Sequence, residues 1–257
     1  EYDKSGKAKV RSQDFKNKKK AGRGQQMLFT KDPTDPINQF VAEELVVLNP
    51  PSGFSDGVTG MGYRILEGSN LDGLDLTMYR LQIPKGHSVP EAKRELSRRF
   101  PGAVIDANHR FESQASKKPR KIMHARGAMG WALAPASCGH NIKLGQIDSG
   151  VDLTHAALKG QRVKFRSFHS KGTRPGPKIH GTAVAAMLVG RPKWGGLLPG
   201  AQLMAASMFQ TAKDGRKVGT ALGLLKSLNW LAKARVHAIN LSVAGTDNKT
   251  LRLAFDK

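Results

Sequence analysis

The chain has 257 residues, 39% of them apolar and 6% aromatic, with 42 Lys and Arg against 20 Asp and Glu, a formal net charge of +22. That length buries one full core, or a large domain with a small companion, and a single cysteine, Cys138, excludes an internal disulfide framework and any multi-cysteine zinc site. No apolar run approaches the ~18 residues of a membrane span, and the opening EYDKSGKAKV has neither an initiator Met nor the apolar core of a signal peptide.

The charge falls into three blocks. Residues 1–30 carry nine basic and three acidic side chains and almost nothing apolar before Met27. Such a stretch buries too little surface to offset the entropy of ordering, so residues 1–37 read as a disordered basic leader. Residues 31–113 reverse the sign, with nine basic and twelve acidic groups, and residues 114–257 hold 24 basic against five acidic ones. Two folded units of complementary charge are expected, joined by the basic, Pro-containing stretch within 113–130.

Over 38–112 the pattern is α+β. An apolar run at 41–48, ended by Pro50 and Pro51, predicts a strand. Residues 63–66 and 76–83 predict two more, separated by a turn-rich 68–73. Ser88 with Glu91 three residues on is a capping box, opening a helix over 90–99 that shows Ala92 and Leu96 on one face and stops before Pro101-Gly102. Residues 103–107 complete a small sheet with a helix on one side.

From 131 onward strands and helices alternate: a strand at 142–147 ending in Asp148-Ser-Gly150, a helix at 182–188 opened by His180-Gly181, a strand at 203–208, an amphipathic helix at 222–234 and a strand at 236–243. That order predicts an α/β fold with a parallel sheet covered on both faces. In such sheets, sites gather at the carboxyl ends of strands, where Asp148 and Ser242 fall.

Asp148 and His180 are the residues with chemistry. A carboxylate at the end of a buried strand can fix the tautomer of a histidine, which can then take a proton from a serine hydroxyl. Alone, each also fits a plainer role, Asp before Ser-Gly as a turn residue and His before Gly as a loop or capping residue. Together with Leu198-Pro-Gly-Ala201 and Ile239-Asn-Leu-Ser242 followed by Gly245, the motifs Ile147-Asp-Ser-Gly-Val-Asp152 and His180-Gly-Thr-Ala-Val-Ala185 make the sequence resemble the subtilisin-like serine proteases over 131–245. The resemblance implies Asp148 as the carboxylate and His180 as the general base. It also implies Lys217, Val218 and Gly219 on one side, with Ser242, Val243, Ala244 and Gly245 on the other, as backbone edges that hold an extended peptide by β-augmentation. Residues 38–112 resemble the propeptides of that family, small ferredoxin-like α+β domains, most clearly over 89–111; an ordinary binding module is the alternative there.

Two departures have consequences. The family's nucleophile lies in a Gly-Thr-Ser segment, and none occurs in these 257 residues, so the resemblance places that Ser beyond Lys257 and makes this chain by itself inactive. Where many relatives have Pro-Asp after the first-motif histidine, this chain has His155-Ala156-Ala157. Calcium takes several oxygen ligands, usually including carboxylates, so no metal and no cofactor is expected. His87, His109, His124, His140, His155, His169 and His237 have no paired metal spacing and read as surface or capping residues, Cys138 as a buried inert thiol, Asp152 as a turn residue and Trp230 as core.

The sequence thus predicts a secreted or periplasmic subtilisin-like endopeptidase precursor: leader, propeptide, linker with a processing site, and from 131 the N-terminal part of the catalytic domain. Its partners would be a peptide or protein substrate, its own propeptide and the remaining C-terminal part of the catalytic domain. A non-catalytic subtilisin-like peptide-binding scaffold is the alternative. A nucleic-acid partner is disfavoured, since only Phe165 and Phe168 lie within the basic run at 159–178.

Overall fold

The computed structural model describes residues 40–113, 134–170, 172–212 and 215–257. The expected leader and most of the expected linker, with its processing site, lie outside the described residues.

The N-terminal unit runs β1 (Phe40–Leu48), α1 (Phe54–Gly60), β2 (Arg64–Leu71), β3 (Leu76–Gln82), α2 (Val89–Arg99) and β4 (Val104–Ser113). Its strands pair antiparallel in the order β2-β3-β1-β4. The apolar run in β1 has no polar alternation because both faces of the sheet are covered. Leu45 and Val47 pack with Phe54, Leu81, Leu96 and Ile105 under the two helices. Val46 and Leu48 turn the other way, with Met78, into a cluster that includes Leu222, Leu225 and Leu251 of the C-terminal unit. Each such side chain, fully buried, contributes roughly 1.5–3 kcal/mol. The capping box forms as the sequence predicts: the Glu91 N–H donates to Ser88 Oγ at 3.4 Å and the Ser88 N–H to Glu91 Oε2 at 3.0 Å.

The C-terminal unit contains β5 (Lys143–Asp148), β6 (Val163–Ser167), β7 (Arg174–Pro175), α3 (Ile179–Val189), β8 (Gln202–Ser207), β9 (Gln210–Thr211), β10 (Lys217–Thr220), α4 (Ala221–Lys233), β11 (Ala238–Leu241), β12 (Val243–Gly245) and α5 (Lys249–Phe255). Strands β11, β5, β8 and β6 lie side by side in that order, each pair parallel. The two-residue period of the strands sorts their side chains between faces. Leu144, Leu203 and Ala205 pack with Ala185 and Val189 of α3, while Ile147, Met204 and Ala206 pack with Leu224, Leu225 and Leu228 of α4.

Several local expectations change. The strand predicted over 236–243 breaks at Ser242: β11 stays beside β5, and β12 leaves to pair with β4. Strand β4 continues to Ser113 instead of ending near 107, because its last residues find partners on the C-terminal unit. The turn expected at 68–73 is shorter, closing at the Leu74 N–H to Leu71 carbonyl bond of 2.8 Å. Cys138 is half-buried, not buried. His109, expected at the surface or in a cap, is buried at 9% exposure because β4 passes between the two units.

Candidate active site

Asp148 ends β5 at the carboxyl edge of the parallel sheet, at 0% exposure. One carboxylate oxygen accepts from the Ser149 N–H at 2.6 Å. The carboxylate also meets His180, whose Nδ1 lies 2.8 Å from Oδ1, the oxygen that accepts from Ser149, and 3.0 Å from Oδ2. A carboxylate so placed accepts a hydrogen bond from Nδ1–H, which keeps the proton on Nδ1 and leaves Nε2 as the free, basic nitrogen. His180 is the second residue of α3 and its side chain is 29% exposed, so the imidazole lies between a dry carboxylate and open solvent.

Two neighbours hold the histidine at that distance. The Gly181 N–H donates to Ser149 Oγ at 2.9 Å, and Gln146 Nε2 donates to the Gly181 carbonyl at 2.9 Å. A Cβ at residue 181 would lie 2.5 Å from the Ser149 carbonyl oxygen and 2.6 Å from that of Gly150. Glycine is therefore what lets the start of α3 close on the end of β5. Asp152 forms the expected turn, accepting from the Thr154 N–H at 3.0 Å and its hydroxyl at 2.7 Å. Ser149 was not singled out from the sequence as a positioning residue, although its place in Asp-Ser-Gly is the signal that carries it.

Strands β10 and β12 are both paired with a strand of the N-terminal unit. Arg110, Phe111 and Glu112 of β4 pair antiparallel with Thr220, Gly219 and Val218 of β10. On the opposite side Phe111, Glu112 and Ser113 pair antiparallel with Gly245, Ala244 and Val243 of β12. Lys217 lies one residue further along β10, paired with Thr211 of β9. Phe111, 1% exposed, lies in one cluster with Met208 and Phe209. A Cβ at Gly219 would meet Met208 Cε at 2.4 Å, and one at Gly245 would meet Phe111 Cδ1 at 2.1 Å. Gly245 thus lacks a side chain where the Phe111 ring lies, and Gly219 lacks one where Met208 packs.

Strand direction relates this tail to the Asp–His pair. Ser113 lies opposite Val243, and the preceding Ser242 donates its N–H to the Ile147 carbonyl, next to Asp148, at 3.1 Å. Strand β4 thus runs toward the end of β5 at its Ser113 end.

A further set of contacts seats the tail. Asn108 Oδ1 accepts from the Leu222 N–H at the start of α4 at 3.1 Å, and Asn108 Nδ2 donates to Glu44 at 2.8 Å. Asp106 Oδ2 accepts from the Lys249 N–H at the start of α5 at 2.7 Å, and Asp106 Oδ1 from Lys93 Nζ at 2.5 Å. Sequence spacing carries no signal for the two contacts between the units, Asn108 with Leu222 and Asp106 with Lys249, whose members are 114 and 143 residues apart.

Residues 139–254 match the subtilase family model. Subtilisin DY of Bacillus licheniformis is 27% identical over 124 residues, which cover 46% of this chain and 43% of that protein. Fervidolysin from Fervidobacterium pennivorans, a keratinolytic enzyme related to subtilisin, superposes with a TM-score of 0.60 at 19% identity, over 89% of this chain and 39% of that one. At that identity the likeness shows the α/β fold. The chain spans about two fifths of the length of either protein. Asp148 and His180 both lie inside the stretch, residues 139–254, that is similar to the subtilase family.

Proposed function

We propose that this chain is part of a subtilisin-like serine endopeptidase precursor, in which residues 40–113 form the propeptide and the unit from 134 forms the N-terminal part of the catalytic domain. The reading is carried by one observation: an extended segment of the N-terminal unit is paired on both edges and directed toward the Asp148–His180 pair. The order of elements in the N-terminal unit, βαββαβ with sheet order β2-β3-β1-β4, supports a ferredoxin-like propeptide.

In the proposed reaction a serine supplied by sequence outside these 257 residues attacks the scissile carbonyl. His180 Nε2 takes the hydroxyl proton and later returns it to the leaving amine, giving an acyl-enzyme that water hydrolyses. Asp148 holds the Nδ1 tautomer and stabilises the imidazolium. The backbone edges at Lys217–Gly219 and Ser242–Gly245 align varied sequences through main-chain bonds. Peptides and proteins are the substrates, the zymogen is held by its own propeptide, and the enzyme acts after secretion or export to a periplasm. No helix among the described residues is long and apolar enough to cross a membrane.

The test uses the chain alone and the same chain with its natural downstream sequence. The former should turn over no peptide. The latter should hydrolyse a generic chromogenic peptide and lose that activity to a serine-directed covalent reagent. His180→Ala should lower kcat by on the order of 10⁶ and Asp148→Asn by on the order of 10⁴. Turnover near the wild-type rate in His180→Ala would refute the reading.

A further inference from the structure

His109 is a buried histidine outside the Asp148–His180 pair. It lies on β4 two residues before Phe111, where the two units meet. Across from it stands Asn248, the N-cap of α5, at 0% exposure. Asn248 Oδ1 accepts from the Leu251 N–H at 3.1 Å and from the Thr250 hydroxyl at 2.5 Å, and Nδ2 donates to the Ala107 carbonyl at 3.1 Å. These three bonds fix the orientation of the amide, since a flipped amide would set donors against donors and a carbonyl against a carbonyl. Its Nδ2 therefore faces His109 Nδ1, 2.7 Å away. A donor at that distance needs a lone pair, so the imidazole that fits is neutral, with its proton on Nε2.

The charges around the ring are mixed. Asp106 on the same strand and Asp247 just before the cap favour the protonated ring, while Lys93 of α2 opposes it. Each carboxylate has its own partner, Asp106 with Lys93 and the Lys249 N–H, Asp247 with Arg252 at 2.6 Å. From β1, Phe40 lies edge-on to the imidazole, its ring centroid 6.2 Å away. The Ala107 carbonyl also favours the protonated ring, but burial outweighs it and the carboxylates and holds His109 below its ordinary value.

We infer that His109 is a proton-operated release between β4 and α5: one proton on the imidazole removes the acceptor that Asn248 faces, sets two N–H donors against each other and loosens residues 110–113 from β10 and β12. The inference rests on the proposed function only for naming what is released, an inhibitory propeptide. Its direction follows from linkage. The closed joint prefers the neutral ring, so His109's contribution is complete above the ordinary value of about 6.5. It declines as pH falls below that value, because the loosened chain binds the proton more readily.

Hydrogen exchange on the 257-residue chain, corrected for the intrinsic pH dependence of amide exchange, reads this directly. Protection of the amides at 110–112 and in β12 should fall by up to about tenfold per pH unit on the acid side, the slope of one proton, while β5 holds. His109→Asn places an amide oxygen where Nδ1 stood and has no proton to gain. It should keep the neutral-pH protection and lose the acid dependence. An NMR titration of the His109 ring in the unmodified chain is the second readout and needs no variant; its midpoint should lie below the ordinary histidine value. Exchange at this joint that ignores pH, acid dependence that survives in His109→Asn, or a His109 midpoint at or above the ordinary value would each overturn the inference. Neither readout uses turnover, so a failed peptidase assay leaves this result standing and the reverse also holds.

Discussion

At the scale of single residues, the fit between Phe111 and Gly245 explains why the tail occupies this place. A buried phenylalanine is worth about 3–5 kcal/mol against alanine, and here the ring lies where a side chain at Gly245 would collide with it at 2.1 Å. Gly245→Ala should therefore destabilise the chain by forcing the ring out of its cluster, and Phe111→Ala should do so by leaving a cavity. The two losses share one cause and should not add. In the double variant, urea unfolding should return an interaction energy of about 0.5–3 kcal/mol, the range for side chains in contact. Strict additivity would mean that the ring does not depend on the missing side chain. Asp148 and His180 were legible in the sequence because each stands inside a short local motif. The Phe111–Gly245 contact was not, because its two halves meet only after both units have folded.

Among elements, the N-termini of α4 and α5 show how the N-terminal unit completes the other one. The first N–H groups of a helix have no partner within the helix. Thr220 satisfies one in α4 by accepting from the Gly223 N–H at 3.1 Å, and Asn248 does the same in α5 for Leu251. Asn108 and Asp106 satisfy one more in each helix from β4, as a carboxylate near a helix N-terminus also does electrostatically. Asp106→Ala leaves the Lys249 N–H without that acceptor and Lys93 without its partner carboxylate, and should cost about 1–3 kcal/mol in urea unfolding. Ser88→Ala, on the α2 capping box, should cost about 1 kcal/mol and leave exchange protection at β12 unchanged. If Asp106→Ala also left β12 protection unchanged, the carboxylate would not be part of the seating. The α2 cap could be read from the sequence because its partners are three residues apart. Helices α1 and α5 and strand β6 could not, being short segments whose place is set by what they pack against.

For the whole molecule, the acidic middle block and the basic last block meet, but apolar packing closes the joint. Glu67 pairs with Lys226 at 2.5 Å and Asp72 with Lys233 at 2.7 Å across it. Partly exposed pairs of this kind contribute about 0–1 kcal/mol each, so the shared cluster around Val46, Met78, Phe111 and Leu225 supplies the adhesion. On the proposed precursor reading, that division sets where the chain is cut. Sequence composition alone allows any bond from Phe111 to Lys121. Arg110, Phe111 and Glu112 are paired on the edges, however, and the chain advances toward Asp148 only at its Ser113 end. Bonds before Ser113 are thus held within the sheet, away from the Asp–His pair, and the cut should fall between Ser113 and Lys121. N-terminal sequencing of the protein carrying its downstream sequence, beside its His180→Ala variant, decides this. A new terminus within that window in the wild type and none in the variant is the expected pair of results. A terminus before Ser113 would refute the register of β4, whereas the same terminus in both proteins would mean that another protease, drawn to the basic residues at 117–121, makes the cut.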